Sequence, residues 1–406
     1  MKNKVENRLL YLFVFSIPIY ESFFLGLFVS YFSALSSLFA MCLLLWSWKK
    51  FRHNRNEFLL IFVLALVLFY NIYYGLFQHG ITVIQLKRLF HVLYLYSISY
   101  ILYKIFTGSD GANSVELVKK AVLHGFIFCF IFSLFEYLVF QANVIDPEFY
   151  FPFDLVFHAL RPSLLYDNNK MRSVSAEANY FGMFLVFSLP LILSNYLKSK
   201  VAVFALICMF IFMMYNTQSR FVLVALSLYF SYKFISKYKF LKYNFIILAL
   251  ILIVFGISEN NFMAKIGSDD SLSVRLGITL SELNIFLGNP FFGVGIGNVG
   301  FYIMKFSNAL TNSSPDFNVY LEGGKENIFA SFNIFSQLLA ELGIFAIFFV
   351  AAILYPFTFY SKISINDRWI LESYALTIIS MMNFSTIHFY AFPLMIGMSY
   401  ALVRNK

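Results

Sequence analysis

An all-α fold threaded repeatedly through a lipid bilayer is the expectation for this chain of 406 residues. Three observations set it. Apolar side chains make up 60% of the sequence and charged ones 13%, with a mean hydropathy of +0.74; soluble domains run at about 45–50% apolar and about 25% charged. The apolar residues fall in runs near the roughly 20 needed to cross the hydrocarbon core, not in the short alternating segments of an outer-membrane barrel. Aromatic residues reach 21%, which a disordered chain would lack. A soluble enzyme and a cytosolic binding module are excluded on the same grounds.

The runs give twelve expected spans, at about 9–27, 29–48, 58–77, 86–106, 118–141, 178–197, 201–217, 221–236, 245–258, 328–360, 369–388 and 389–403. The last two share a tight turn, so the count is eleven if they act as one. The stretch 328–360 is too long for one straight crossing; it should begin as a polar-faced helix at the interface and then cross. Met1 to Arg8 followed by the run from Leu9 resembles a signal peptide. No small-residue cleavage site follows, and Pro18 and Glu21 interrupt the run, so a retained first helix is expected.

Orientation follows from Lys and Arg. With both termini cytoplasmic, every short inner loop is basic: Lys2, Lys4, Arg8, Lys49, Lys50, Arg52, Arg55, Lys104, Lys119, Lys120, Lys198, Lys200, Lys233, Lys237, Lys239, Lys242, Lys362, Arg368, Arg404 and Lys406. Left outside are Lys87, Arg88, Arg161, Lys170, Arg172, Arg220, Lys265, Arg275, Lys305 and Lys325. The net charge of +9 therefore reads as anchoring, with no nucleic-acid partner. Cys42, Cys129 and Cys208 lie in apolar runs and form neither a disulfide framework nor a metal cluster. Two outer segments are long, 142–176 and 259–327. Both are rich in Phe and Tyr, and both should lie on the membrane surface within a single polytopic domain, 1–406.

Chemistry is expected in the outer segments. Ser175 is a good N-cap for the sixth span and Glu177 suits its first turn, so a helix N-terminus beside Arg172 makes an anion site; ordinary capping is the plainer alternative. Arg220, in the tight turn Gln218-Ser219-Arg220, is held at the membrane rim, where a charge either serves function or snorkels to lipid phosphate. Residues 271–287 have helical period. Leu272, Leu276, Leu280, Leu283 and Leu287 form an apolar stripe, flanked by Arg275, Thr279 and Glu282, as in an interfacial helix.

The loop Gly288-Asn-Pro-Phe-Phe-Gly-Val-Gly-Ile-Gly-Asn298 can turn tightly and offer N–H groups to phosphate, or be a plain turn. Glu326, Asn333, Gln337 and Glu341 share one face of the following helix, which must meet protein or water rather than lipid. His91 and His124 read as core residues, while His158 and His388 lie toward the outer face as possible bases. Glu21, Glu136 and Glu372 are packing groups or marks of an ion path. Aromatics such as Tyr302, Phe306 and Tyr320 suit sugar stacking or interfacial anchoring.

Taken in order, these motifs resemble one family. Arg172…Glu177-Ala-Asn179 opens a span, and Arg220 sits in a tight outer turn. Then come Ser273-Val-Arg275, the Asn-Pro-Phe glycine loop, and Glu326-Asn327 leading to Ala340-Glu341-Leu342-Gly343. The series resembles the O-antigen polymerase/ligase superfamily, of the Wzy type, over about 165–345. The resemblance implies a GT-C-like helical fold in the bacterial inner membrane and a glycosyltransferase acting on undecaprenyl-diphosphate-linked glycans at the outer face. It implies a lipid bilayer, a flippase and a chain-length regulator as partners.

On this resemblance Arg172, Arg220 and Arg275 bind the diphosphate, and Glu326 or Glu177 serves as base. Asn179, Tyr180, Asn298 and Asn327 are substrate contacts. No Asp-x-Asp pair occurs, and no metal or other cofactor is expected. In ligase members a His usually precedes the Asn matched to Asn327; here Glu326 stands there, which favours a polymerase over an O-antigen ligase. A lipid-linked oligosaccharide flippase is the alternative from another class. It would need a charged central cavity with helices broken at the midplane.

Overall fold

The computed structural model describes residues 2–19, 35–50, 83–142, 171, 173, 175, 178–194, 199–217, 219–237, 270–303, 305–306, 333–383 and 390–404, with isolated positions at 65, 69, 70, 73 and 144. The expected span 245–258 and, apart from the isolated positions above, 58–77 lie outside the described residues, as do the later part of the first span (20–27) and the earlier part of the second (29–34).

The described residues are helical, with no strand among them. In chain order the α-helices are α1 (Lys2–Phe15), α2 (Leu35–Trp46), α3 (Val83–Phe106), α4 (Gly111–Phe140), α5 (Ala178–Ile192), α6 (Lys200–Thr217) and α7 (Arg220–Lys237). Then follow α8 (Asp270–Gly288), α9 (Val299–Ile303), α10 (Ile334–Leu342), α11 (Ala346–Leu354), α12 (Arg368–Asn383) and α13 (Ala391–Arg404). Among the described residues, four stretches are long and apolar enough to cross a membrane: Arg88–Phe106, Gly111–Phe140, Lys200–Thr217 and Ile334–Lys362. The chain is thus an all-α polytopic membrane protein. At about 1.5 Å per residue, the 30 residues of α4 run about 45 Å, longer than the hydrocarbon core, so this helix tilts or extends beyond it.

Packing without water dictates which side chains appear at the crossings. Phe181, Phe184 and Phe187 of α5 are almost wholly covered, and every described side chain from Phe181 to Ile192 is buried. Hydroxyls inside helices turn back on their own backbone: Ser99 donates to Leu95, Thr377 to Ser373 and Ser380 to Leu376. A polar group in hydrocarbon must be satisfied internally, and this is the shortest way to do it.

Contacts between helix ends define a basic end of the bundle. Glu6 near the start of α1 pairs with Lys50 just beyond α2. Arg404 at the end of α13 donates to Tyr103 near the end of α3, and Lys104 lies over that ring. Lys119 in α4 lies over Trp369 at the start of α12. Glu372 in α12 takes Lys233 from α7, Tyr229 and Tyr360. Every Lys and Arg named here belongs to the set expected on the inner side.

The long stretch ending at Lys362 is in two parts. Gly343, with φ +59° and ψ −140°, ends α10, and a 3₁₀ turn over Gly343–Phe345 leads into α11. α10 carries Asn333, Ser336, Gln337 and Glu341, whereas α11 is AIFFVAAIL. The polar piece and the crossing piece are therefore separated at the one residue type that tolerates this backbone conformation.

Candidate functional site

Two polar clusters lie at the end of the bundle opposite the basic one. The first joins the start of α5 to the turn between α6 and α7. Ser219 donates to Asn179 Oδ1 at 3.2 Å. Gly182 lets the helices approach: a Cβ there would sit 2.6 Å from Val222 Cγ2. The N–H of Met171 donates to the carbonyl of Asn216, the last full turn of α6. Arg220 is the first residue of α7, so its backbone stands at a helix N-terminus; its side chain lies outside the described residues. Asn179 and Tyr180 are half-buried in the first turn of α5.

The turn ahead of α5 is held from below. Ser173 has φ +53°, a left-handed conformation uncommon for a residue with a Cβ. Its N–H donates to Glu136 Oε2 at 2.8 Å and its hydroxyl to the carbonyl of Cys129 at 2.9 Å. The buried hydroxyl of Ser175, expected as a cap, donates to the carbonyl of Pro18 at 2.6 Å. Arg172 and Glu177, which flank these positions, lie outside the described residues, as do Glu326, Asn327, His158 and His388.

The second cluster is built by α8, the glycine loop and α10. α8 packs through Val274, Ile278 and Ile285 against Ala340 of α10, Val294 of the loop, and Val299 and Ile303 of α9. The leucine stripe faces the other way, with Leu276, Leu280 and Leu287 exposed. Leucines and β-branched residues alternate around this helix, and the β-branched face is the one that packs. Glu282, expected on a flank, is buried and accepts from Ser336 of α10. Arg275 is half-buried beside the packed face.

The loop is docked backbone to backbone on the end of α10. Val294 N–H reaches the Ala340 carbonyl at 2.9 Å, Gly295 N–H the Glu341 carbonyl at 3.0 Å, and Ile344 N–H the Pro290 carbonyl at 2.8 Å. Carbonyls at a helix C-terminus lack intrahelical partners, and beside a membrane there is little water to supply them. Three more loop donors are used: Gly293 N–H to Asn289, Asn298 N–H to Gly295, and Gly297 N–H to Glu341 Oε1. Asn298 is wholly buried, its Nδ2 donating to the Val294 carbonyl at 2.8 Å. The side chain expected at a substrate braces the loop instead.

Glu341 adds a residue that the sequence had not placed at a site. Its Oε1 takes Gly297 N–H, Gln337 Nε2 at 3.1 Å and, at 3.6 Å, Nε of Arg88 from the start of α3. The signal for Arg88 was present: it opens an apolar helix on the side where the charge rule expects few cations.

The structure thus brings Asn179 to the turn before Arg220, and it brings the helix of Arg275, the glycine loop and the polar face of α10 together. No curated protein matches the chain. The Wzy_C family model, described as O-antigen ligase, matches residues 183–351, the segment running from α5 to α11 that holds most of both clusters. Members of that family are glycosyltransferase-like enzymes of the polymerase and ligase type. This match, with the helical fold and the ordered motifs within it, supports the O-antigen polymerase/ligase superfamily.

Proposed function

We propose that this chain is a surface-polysaccharide polymerase of the O-antigen type. It transfers a growing glycan from undecaprenyl diphosphate onto an undecaprenyl-diphosphate-linked repeat unit at the outer face of the bacterial inner membrane. One observation carries the reading: Asn179, the turn before Arg220, the helix of Arg275 and the polar face of α10 collect at one end of the bundle, within or beside the family segment. α1 starts and α13 finishes at the other, basic end. The positive-inside rule makes that end cytoplasmic, with both termini, and turns the polar clusters and the outer segments 142–176 and 259–327 outward.

In the reaction an acceptor hydroxyl attacks C1 of the sugar next to the lipid diphosphate. The bond from C1 to the diphosphate oxygen breaks, and the electron pair leaves with undecaprenyl diphosphate. The acceptor proton passes to a carboxylate, Glu326 or Glu177. Guanidinium groups of Arg172, Arg220 and Arg275 stabilise the departing charge and match phosphate oxygens two at a time. No metal or other cofactor is required. Asn179, Tyr180 and Asn327 are assigned to the sugar. Lipid-linked repeat units reach the site from a flippase, and a chain-length regulator limits the product.

The family's description as O-antigen ligase favours a second reading, ligation of the finished glycan to lipid A core. The gel ladder from a strain lacking the gene separates the classes. A single-repeat product means that a polymerase is missing. Uncapped core with intact lipid-linked polymer means a ligase, and no product outside means a flippase. Arg220→Ala and Arg275→Ala at normal expression should each cut polymer formation by about 10²–10³. Full restoration of long chains by both variants would remove the diphosphate assignment.

A further inference from the structure

Glu341 stands where three separate parts of the sequence meet. It is 2% exposed, one residue from the end of α10. Two donors and a cation converge on a single oxygen, Oε1: the Gly297 N–H at 3.2 Å and Gln337 Nε2 at 3.1 Å donate to it, and Arg88 Nε stands 3.6 Å away as its ion-pair partner. Its carbonyl oxygen takes the Gly295 N–H at 3.0 Å. Arg88 is itself only 15% exposed in its side chain, and Glu341 is the carboxylate paired with it among the described residues. A buried carboxylate persists only with a cation and hydrogen-bond donors to replace water. Here each replacement comes from a different element: the loop, α10 and α3.

We propose that Glu341 and Arg88 form a positioning pair. The carboxylate clamps the second half of the glycine loop to α10 and to the first turns of α3. The loop follows directly from α8, so the clamp also fixes the helix that carries Arg275. Glu341 is enclosed and its carboxylate faces a cation and two donors of the protein itself, so its part is to hold the loop rather than to meet the acceptor. A carboxylate suits the task because one oxygen accepts an amide N–H and a side-chain amide while its charge faces the guanidinium of Arg88. An apolar residue at 341 would leave the Gly297 N–H and the Arg88 charge buried without an acceptor. The role rests on the polymerase reading, which it deepens by adding two residues that act through Arg275.

The test uses the full chain in nanodiscs, with two readouts. One is amide hydrogen exchange at Gly295 and Gly297; the other is kcat and KM with a lipid-linked repeat unit. Glu341→Gln keeps an acceptor oxygen for Gly297, so protection should stay within about tenfold of the parent and kcat should fall about tenfold or less. Glu341→Leu should lose about 100-fold in protection and on the order of 10²-fold in kcat with KM little changed, because a misaimed cation weakens the transition state more than ground-state binding. Arg88→Met strands a buried carboxylate, and the double variant Arg88→Met/Glu341→Gln should exceed it in both readouts.

If Glu341→Leu does not accumulate, the single Gln variant and the double variant decide. Parental protection and kcat in Glu341→Leu, or a double variant no better than Arg88→Met, would overturn the pair. Absence of polymer from the parent protein would sink the polymerase reading alone, since the exchange measurements still judge the clamp.

Discussion

Gly343→Ala tests whether the glycine loop is a lock on α10. Gly343 has φ +59° and ψ −140°, a region open essentially to glycine, and an alanine there costs about 1–3 kcal/mol in strain. A Cβ at this position would also meet Gly293 N and Phe291 C at 2.6 Å and Phe291 O at 2.7 Å. These are backbone atoms, and no side-chain rotation can relieve them. The loop must move off, breaking some or all of the contacts Ile344–Pro290, Val294–Ala340 and Gly295–Glu341. Each is worth about 0.5–1.5 kcal/mol net. Strain and lost bonds together give about 3–6 kcal/mol against docking, or roughly 10²–10⁴ in the opening equilibrium. The assay is amide exchange at Val294, Gly295 and Ile344 in the purified protein, compared with amides in α4 as an internal standard. Unchanged protection at those three amides in the alanine variant would refute the argument, because nothing else in the structure could absorb the overlap.

Further outcomes follow from single contacts. Asn333→Ala removes the cap whose Oδ1 accepts from Phe335 and Ser336 N–H, and should lower thermal stability by about 0.5–2 kcal/mol. Glu136→Leu deprives the Ser173 N–H of its acceptor in a buried turn; Glu136→Gln should preserve more function, read as polymer length in complemented cells. Gly182→Leu should separate α5 from α7 and lose polymer formation, whereas Gly182→Ala needs only a shift of the Val222 side chain and should keep more of it. In the basic cluster, Lys233→Met leaves Glu372 with Tyr229 and Tyr360 as donors but without a cation, so it should unfold at lower temperature than Lys233→Met/Glu372→Gln.

What could be read from the sequence was what local chemistry decides. Apolar run length located α3, α5, α6, α7, α12 and α13 to within a few residues, because a crossing helix has no other way to satisfy its backbone. Of the Lys and Arg expected on the inner side, Lys50, Lys104, Lys119, Lys233 and Arg404 make the contacts at one end of the bundle. The division of the stretch 328–360 was legible in its length and in the contrast between Gln337 or Glu341 and AIFFVAAIL. What escaped was pairing across the chain. Ser175 looks like a cap until Pro18, 157 residues away in sequence, offers its carbonyl. α8 has apolar residues on two faces, and only α10 decides that Val274, Ile278 and Ile285 turn inward. Arg88 and Glu341 each stand out alone, as a cation on the outer side and a carboxylate on a polar face, but no local pattern joins them.

The same distinction changes the meaning of the glycine loop. Several small residues in a row suggest free N–H groups waiting for phosphate, and by composition alone that inference is sound. Here Gly293, Val294, Gly295, Gly297 and Asn298 each donate to an acceptor within the protein. The glycines serve close approach: a Cβ on Gly293 would lie 2.5 Å from the carbonyl oxygens of Ala340 and Glu341. A helix that stops beside a membrane exposes its last carbonyls where water is scarce, and the loop is what covers them. On the proposed polymerase reading, a lipid diphosphate would be held by side-chain cations rather than by these loop amides, and the loop would serve by keeping the helix that carries Arg275 in place.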